Sequence, residues 1–500
     1  MRESNSILLH CIAGALVATL LTGCTVGPDF RRPAGPGIDA YTASPLPERT
    51  TSAPGALGES QRLIEGATIE MQWWRNLEAP KLDALIEQAL LTSPTLATVQ
   101  ATLRQAGEIY AAKSGSTRYP QLDANLSGQR QRFNPGALGQ SGEAREFSLY
   151  SAGVGMQYQL DLTGGNRRAL EALAAQVDYQ RFQLAGARLT LAAQIASTAI
   201  SQARLSAQLV SSEAILHAQE QQLALAHERV RLGEASQDDV LALQTQVEQT
   251  RADIPALRSQ REQAGHLLAV LSGQAPGVTK LPPFNLDDFS LPVDLPLVLP
   301  AELVRGRPDI LAAEALLHAA NAEYGVAIGR LYPQINLSAS LGSQALTTGA
   351  LFGSGSAIWS LIGQLTQPLF NPGLPAEKRA ALAAFDAAAA HYQGVVLEAL
   401  RNVADVLQGL DSDSQILAAQ VAAEASAQAS LNSAQRKYAL GVASYLQLLT
   451  AQQQVHQSRL GLIASQAQKL GNTVALYHAM GGGQIIEGAF ISEIGHPGSN

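Results

Sequence analysis

Two stretches free of proline constrain this chain more than anything else in it. Residues 166–232 hold no proline and one glycine, Gly186; residues 377–440 hold no proline and two glycines, Gly394 and Gly409. At 1.5 Å per residue, either stretch makes a helix roughly 100 Å long. No globular domain buries such a helix, so each must pack laterally along other helices. Runs of small side chains such as "ALAAFDAAAAHY" suit that, because they let helix backbones approach closely. After Leu232-Gly233 and Leu440-Gly441 a return helix is expected, over 237–271 and 445–480. Pro255 is expected to kink the first of these.

The chain also says the same thing twice, and a repeat must be recognised before a fold is assigned. "RVRLGEASQDDVLALQ" from Arg229 has a near-copy, "KYALGVASYLQLLTAQ", 208 positions later, and the stops at Gly273 and Gly481 keep that spacing. "RYPQLDANLSG" from Arg118 and "LYPQINLSASLG" from Leu331 lie 213 apart, a difference absorbed by one loop. The repeats are read as 76–273 and 301–482, each a helix, two strands, a long helix and a return helix. The first helices are expected over 81–113 and 300–330, ended by Tyr119-Pro120 and Tyr332-Pro333, because proline pushes its predecessor out of the α region.

The residues after each Tyr-Pro alternate with period two. Leu122, Ala124 and Leu126 interleave with Asp123, Asn125 and Ser127; Ile335, Leu337, Ala339 and Leu341 interleave with Asn336, Ser338 and Ser340. Partner strands carry Val154, Met156, Tyr158 and Leu160, and Trp359, Leu361 and Leu365. Lengths near the 9–11 residues that cross a bilayer at a tilt, with one apolar and one polar face, fit a membrane barrel. A soluble hairpin with one face on a core is the alternative. Four strands close no barrel alone, so the membrane reading requires several chains.

The N-terminus reads as a signal. The apolar run "ILLHCIAGALVATLL" is too short to anchor and leads to Leu21-Thr22-Gly23-Cys24, which resembles a bacterial lipobox. Residues 1–23 are therefore expected to be removed and Cys24 to carry N-acyl and S-diacylglycerol lipid. Thr25, where an Asp would favour retention at the inner membrane, points to the outer one. Residues 24–75 read as an extended leader, 274–300 as a proline-rich connection and 483–500 as a tail. A net charge of −8 gives no footprint for nucleic acid. The nine histidines are scattered and read as helix-surface residues, and no Cys/His cluster offers a metal site. Trp73-Trp74 reads as a packing anchor. Glycine runs lack the Lys-Ser/Thr of a phosphate loop. Neither enzyme chemistry nor a cofactor is expected.

"CTVGPDFRRP", "QWWRNLEAPKLDALIEQAL", "QLDLTGGNRRAL" and "RPDILAAEALLHAANAEYGVAIGRLYPQINLSASLG" together resemble the TolC-type outer-membrane efflux lipoproteins of the NodT/OprM branch, over 24–482. The resemblance implies a homotrimer in which each chain donates four strands to a twelve-stranded β-barrel continued by an antiparallel α-helical barrel. It implies an exit duct working with a periplasmic adaptor and an inner-membrane RND pump. A pore-free coiled-coil lipoprotein, or the outer component of a type I-like secretion system, is the competing reading. The resemblance places the adaptor-contacting helix tips at Arg231, Leu232, Gly233, Leu440 and Gly441, and the resting constriction at Leu446 and Thr450 beside Gln447. Thr450 departs from the acidic residue expected there. Asp238 and Asp239, at the tip of the first repeat, are either solvated acids favourable near a helix start or carboxylates that three copies place around the mouth. Replacing the acylated thiol, Cys24→Ser, is expected to abolish metabolic palmitate labelling; persistent labelling would refute the lipobox.

Overall fold

The computed structural model describes residues 26–483 apart from 46, 140, 279 and 280. Cys24, the signal segment and nearly all of the tail thus lie outside the described residues. In chain order the elements are β1 (Arg62–Glu65), α1 (Pro80–Thr92), α2 (Pro94–Arg118), β2 (Gln121–Phe133), β3 (Arg145–Leu160), α3 (Gly165–Arg231) and α4 (Gln237–Leu271). They continue as β4 (Asp294–Leu297), α5 (Pro300–Gly306), α6 (Pro308–Gly329), β5 (Gln334–Ala345), β6 (Ala357–Thr366), α7 (Gly373–Ala439) and α8 (Tyr445–Ala479). The two long helices have 67 residues each and the two return helices 35 each. None of the described helices is long and apolar enough to cross a membrane.

Two helix expectations change. The helix expected over 81–113 is two helices, broken where Ser93 turns extended (ψ 123°) before Pro94. The helix expected over 300–330 breaks in the same way at Arg307 (ψ 126°) before Pro308. In both, the clash with the proline ring drives the preceding residue out of the helical region, and the proline then serves as the first helical residue, where its missing N–H costs nothing. Pro255, by contrast, lies within an unbroken α4, preceded by a buried Ile254. Among the described residues a further pair of strands joins the four expected. The leader and the proline-rich connection each supply a four-residue strand, and β1 and β4 pair in parallel, Leu63 opposite Leu295.

The chain forms two compact units. The first takes the described residues up to Pro33, with Thr102–Gln180 and Ala313–Tyr392, and contains the four-stranded antiparallel sheet in the order β2-β3-β5-β6. The second takes Ala34–Ala101, Arg181–Ala312 and the described residues from Gln393 onward. Its core holds Trp73, Leu77, Leu82, Ile86 and Tyr477, all at most 1% exposed. Trp73 stacks on Tyr477 (5.3 Å between centroids), and Asn76 donates to the Tyr477 hydroxyl (3.1 Å).

Two buried cations hold this second unit together. Lys469 is fully buried on α8, and its Nζ donates to the carbonyls of Glu59 (2.7 Å) and Leu57 (3.2 Å), pinning the leader. Burial lowers its pKa, since a charged amine is disfavoured away from water. Arg307 forms a fork on Asp309 (2.9 and 2.6 Å) while its Nη1 donates to the carbonyls of Ala479 (2.9 Å) and Ala399 (3.4 Å). Ala479 ends α8, so Arg307 fills one of the carbonyls that a helix C-terminus leaves unpaired. In the first repeat the Thr92 hydroxyl performs a similar task on the carbonyl of Ser272, just past α4 (2.8 Å). Arg307→Ala leaves the buried carbonyls unpaired and Asp309 with only the Ile310 amide. It is expected to lower unfolding free energy by about 3 kcal/mol in denaturant titrations, with Arg307→Lys recovering only part, because Lys cannot form the fork.

Candidate channel wall, leader anchor and helix tips

Pairing register decides which side chains share a face of the sheet. Leu122 lies opposite Met156, which lies opposite Ala339, which lies opposite Leu361. The next row toward the β2–β3 turn is Ala124, Val154, Leu341 and Trp359. The alternate rows are mainly polar, with Ile358 and Ile362 of β6 as exceptions: Ser127 meets Ser151 with hydroxyls 2.7 Å apart, Asn336 faces Gln364, and the Ser340 and Ser360 hydroxyls lie 2.8 Å apart. Gly153 faces Gly342, and a Cβ built on Gly342 would come 2.5 Å from the Ala152 carbonyl oxygen, so the two backbones approach where only glycine fits. Both outer strands, β2 and β6, are exposed along their whole length and have no partner on their outer edge among the described residues.

The leader just after Cys24 is locked in the same unit. The Val26 amide donates to the Thr163 carbonyl (2.9 Å), and Gly27, at φ +87°, lies where a Cβ would stand 2.7 Å from the Gly325 Cα. Arg168, nearly buried, donates to the Val26 and Gly27 carbonyls (3.2 and 3.3 Å) and pairs with Asp29 (2.6 Å) and Glu171 (2.7 Å). Asn321 donates to the Pro28 carbonyl (3.0 Å), Phe30 stacks on His318 (4.3 Å), and Arg32 pairs with Glu314 (2.8 Å). The leader therefore tracks α6 from Gly325 back to Glu314. Burial works against the Glu171 carboxylate, yet hydrogen bonds from Arg168 and His318 (2.8 Å) hold its pKa below the usual range. His318 is thus no plain surface histidine, and burial also lowers the pKa of His456 and His478.

The helix tips are built alike in both repeats. Gly233 (φ +79°) and Gly441 (φ +72°) end α3 and α7 in left-handed geometry that suits glycine. Gly233 N–H donates to Val230 and Glu234 N–H to Arg229 (3.0 and 2.8 Å); Gly441 N–H donates to Tyr438 and Val442 N–H to Lys437 (3.0 and 2.9 Å). Each return helix then opens with a capping box. Asp239 N–H donates to Ser236 Oγ (3.2 Å) and Ser236 N–H to the Asp239 carboxylate (3.4 Å). Gln447 N–H donates to Ser444 Oγ (3.4 Å) and Ser444 N–H to Gln447 Oε1 (3.3 Å). Asp239 and Gln447 are therefore equivalent caps. The acid pair divides: Asp239 is engaged by its own helix, whereas Asp238 stands exposed at the position that Leu446 takes in the other repeat.

Leu446 is 65% exposed, as are Leu232 (64%) and Leu440 (78%), while the Thr450 hydroxyl donates back to the Leu446 carbonyl (2.9 Å). Arg231 pairs with Glu228 on its own helix (2.7 Å). Beneath these residues an apolar cluster joins the two tips: Ala226, Val240 and Leu243 from one, Tyr445, Leu448 and Leu449 from the other. Arg229 donates to the Tyr438 hydroxyl (2.8 Å), and Tyr438 meets Tyr445 edge-on (5.6 Å).

This geometry has relatives. Residues 85–274 and 299–482 match the outer membrane efflux protein family, three-quarters of the chain. The chain belongs to that family. It is 32% identical to the solvent efflux pump outer membrane protein SrpC of Pseudomonas putida, over 93% of this chain and 96% of that one. It is 30% identical to the outer membrane protein OprJ of Pseudomonas aeruginosa, over 94% and 95% respectively. The solved outer-membrane channel OprN superposes with a TM-score of 0.82 at 28% identity, over 92% of this chain and 99% of that one. The protein is accordingly an outer-membrane component of an efflux pump and not an enzyme.

Within that family assignment the conspicuous motifs acquire structural jobs. The start "VGPDF" is the leader lock, and Arg307-Pro308-Asp309 is the carbonyl clamp. Arg168, Glu171 and His318 lay unremarked in the sequence because nothing in their spacing, 150 residues apart for the outer two, shows that they meet. Removing a cap hydroxyl, Ser236→Ala or Ser444→Ala, is expected to cost about 1 kcal/mol of local stability. Hydrogen exchange over the first turn of the matching return helix should accelerate about fivefold, with the other tip unaffected.

Proposed function

We propose that three copies of this chain close one twelve-stranded barrel in the outer membrane and line up their long helices as a water-filled exit duct. The observation that carries this is a four-stranded sheet with an apolar and a polar face and two unpaired edges. In hydrocarbon each unpaired backbone group costs several kcal/mol, and only barrel closure removes the edges. Lipid on Cys24 anchors the chain, two residues before the locked Val26. A periplasmic adaptor docks at the tips around Gly233 and Gly441, and an inner-membrane pump supplies the free energy. Cargo is a small molecule, a drug, toxic compound or metal; SrpC is named for solvent efflux.

Leu446 from three copies forms the resting apolar constriction. Thr450, tied to its own helix, adds no charge there, and Asp238 is the acid left free to face the mouth. Native mass spectrometry of the detergent-purified lipoprotein should return a trimer, and planar bilayers should show single channels. Leu446→Ala should raise conductance of the closed channel severalfold. A monomer that never conducts would leave the pore-free lipoprotein reading standing, and an unchanged conductance in Leu446→Ala would remove that residue from the gate.

A further inference from the structure

One face of the β2–β3 hairpin changes from apolar to charged partway along its length. Up to the row holding Leu126 and Ala152, the face that carries Leu122, Val154 and Leu341 is apolar. The next row on that face is Gly128 with Tyr150, and beyond it stand Arg130 opposite Ser148 and Arg132 opposite Glu146. On the reverse face β3 changes the other way, Gly153 and Ser151 giving way to Leu149 and Phe147, while β2 keeps Gln129 and Gln131 before Phe133. β5 stops pairing at Tyr150, so only this hairpin extends past the aromatic row.

Heights follow from strand geometry. From Leu160 to Ala152 the apolar rows rise about 27 Å along the strand at 3.4 Å per residue. With the strand tilt of barrels that is roughly 20 Å along the membrane normal, near the usual apolar band. Arg130 stands about 10 Å above its last row, at the depth of headgroups rather than of acyl chains. Arg130 is exposed and reaches Glu146 (3.2 Å); Arg132 is exposed and has no hydrogen bond or ion pair among the described residues. Each copy thus presents, two rows beyond Tyr150, one guanidinium with no bonded carboxylate among the described residues.

We infer that Arg130 and Arg132, with Ser148, form a binding site for the phosphate groups of lipid A-type glycolipid in the outer leaflet. This rests on the barrel reading above, which makes that face the lipid-facing one. Guanidinium forks match phosphate geometry and form charge-assisted hydrogen bonds that strengthen at a partly dehydrated interface. The glycolipid's acyl chains continue onto the apolar rows below, so one molecule satisfies both halves of that face. Water alone would satisfy the arginines but gives no reason for the apolar rows to run directly into them.

The test is native mass spectrometry of the full lipidated protein titrated with bisphosphorylated lipid A, with enzymatically dephosphorylated lipid A, and with lipid A plus millimolar inorganic phosphate. The wild type should bind the bisphosphorylated lipid at least tenfold more tightly than Arg130→Ser/Arg132→Ser. Dephosphorylated lipid should bind both equally weakly, and inorganic phosphate should not displace the lipid. Arg132→Lys keeps the charge but not the fork and should bind with an affinity between those of the wild type and the double variant, separating a binding effect from misfolding of the double variant. Equal affinity in wild type and double variant, no effect of dephosphorylation, or displacement by inorganic phosphate would each overturn the inference. Wild-type conductance in bilayers free of lipid A separates the two readings. A conducting protein indifferent to lipid phosphate sinks this site alone, whereas a protein that never conducts sinks the barrel on which it depends.

Discussion

Backbone hydrogen bonding at the edges of the sheet is the constraint on which the rest depends. Inside β2-β3-β5-β6 the ladder is complete, with registers that run without interruption over 13, 11 and 10 residue pairs. The outer edges of β2 and β6 offer the same groups to nothing among the described residues, beside a face studded with Leu122, Leu126, Trp359 and Leu365. Apolar side chains draw that face toward hydrocarbon while the open edges forbid it, and a single chain has no means of reconciling the two. Copies of the same sheet placed edge to edge, as proposed above, would do so. The glycine contact between Gly153 and Gly342 serves the same end by letting neighbouring strands approach where a side chain would force them apart.

The helices answer a second constraint with the same device in each repeat. A helix of 67 residues accumulates no special stability at its end, so the turn into the return helix must be specified locally. A left-handed glycine, two carbonyl-capping N–H groups and a Ser-based capping box do so, in duplicate, 208 residues apart. The duplication lets Asp239 be understood. Its counterpart Gln447 forms the same cap, so the carboxylate needs no special chemistry to explain it, and attention passes to Asp238 and to Leu446 opposite it in the repeat. At the far ends of the return helices the same glycine device recurs at Gly273 and Gly481, where Thr92 and Arg307 satisfy neighbouring carbonyls from different chemistry.

Much of this was legible in the chain as written. Proline-free length, glycine stops and period-two alternation are local properties, so the long helices, both return helices and the four membrane-type strands could be placed within a few residues. The helix breaks before Pro94 and Pro308 were equally local but were hidden by apolar periodicity that continues across them. The β1–β4 pair was hidden for another reason. Two four-residue segments, 232 residues apart and too short to show a period, acquire strand character only by finding each other.

Sequence by itself therefore determined the class of the molecule: a duplicated chain of paired amphipathic strands and very long helices, with no constellation for catalysis. These follow from spacing, composition and the conformational limits of single residues. Only the tertiary structure decided which buried cations clamp which carbonyls, that Arg168, Glu171 and His318 converge on the leader, that Asp239 is a cap, and that one face of the β2–β3 hairpin changes from apolar to charged above Tyr150. Those depend on register and on contacts between residues far apart in the chain, which no local pattern encodes. A one-residue slip in register would exchange every face of the sheet, and with it the assignment of lipid side and water side.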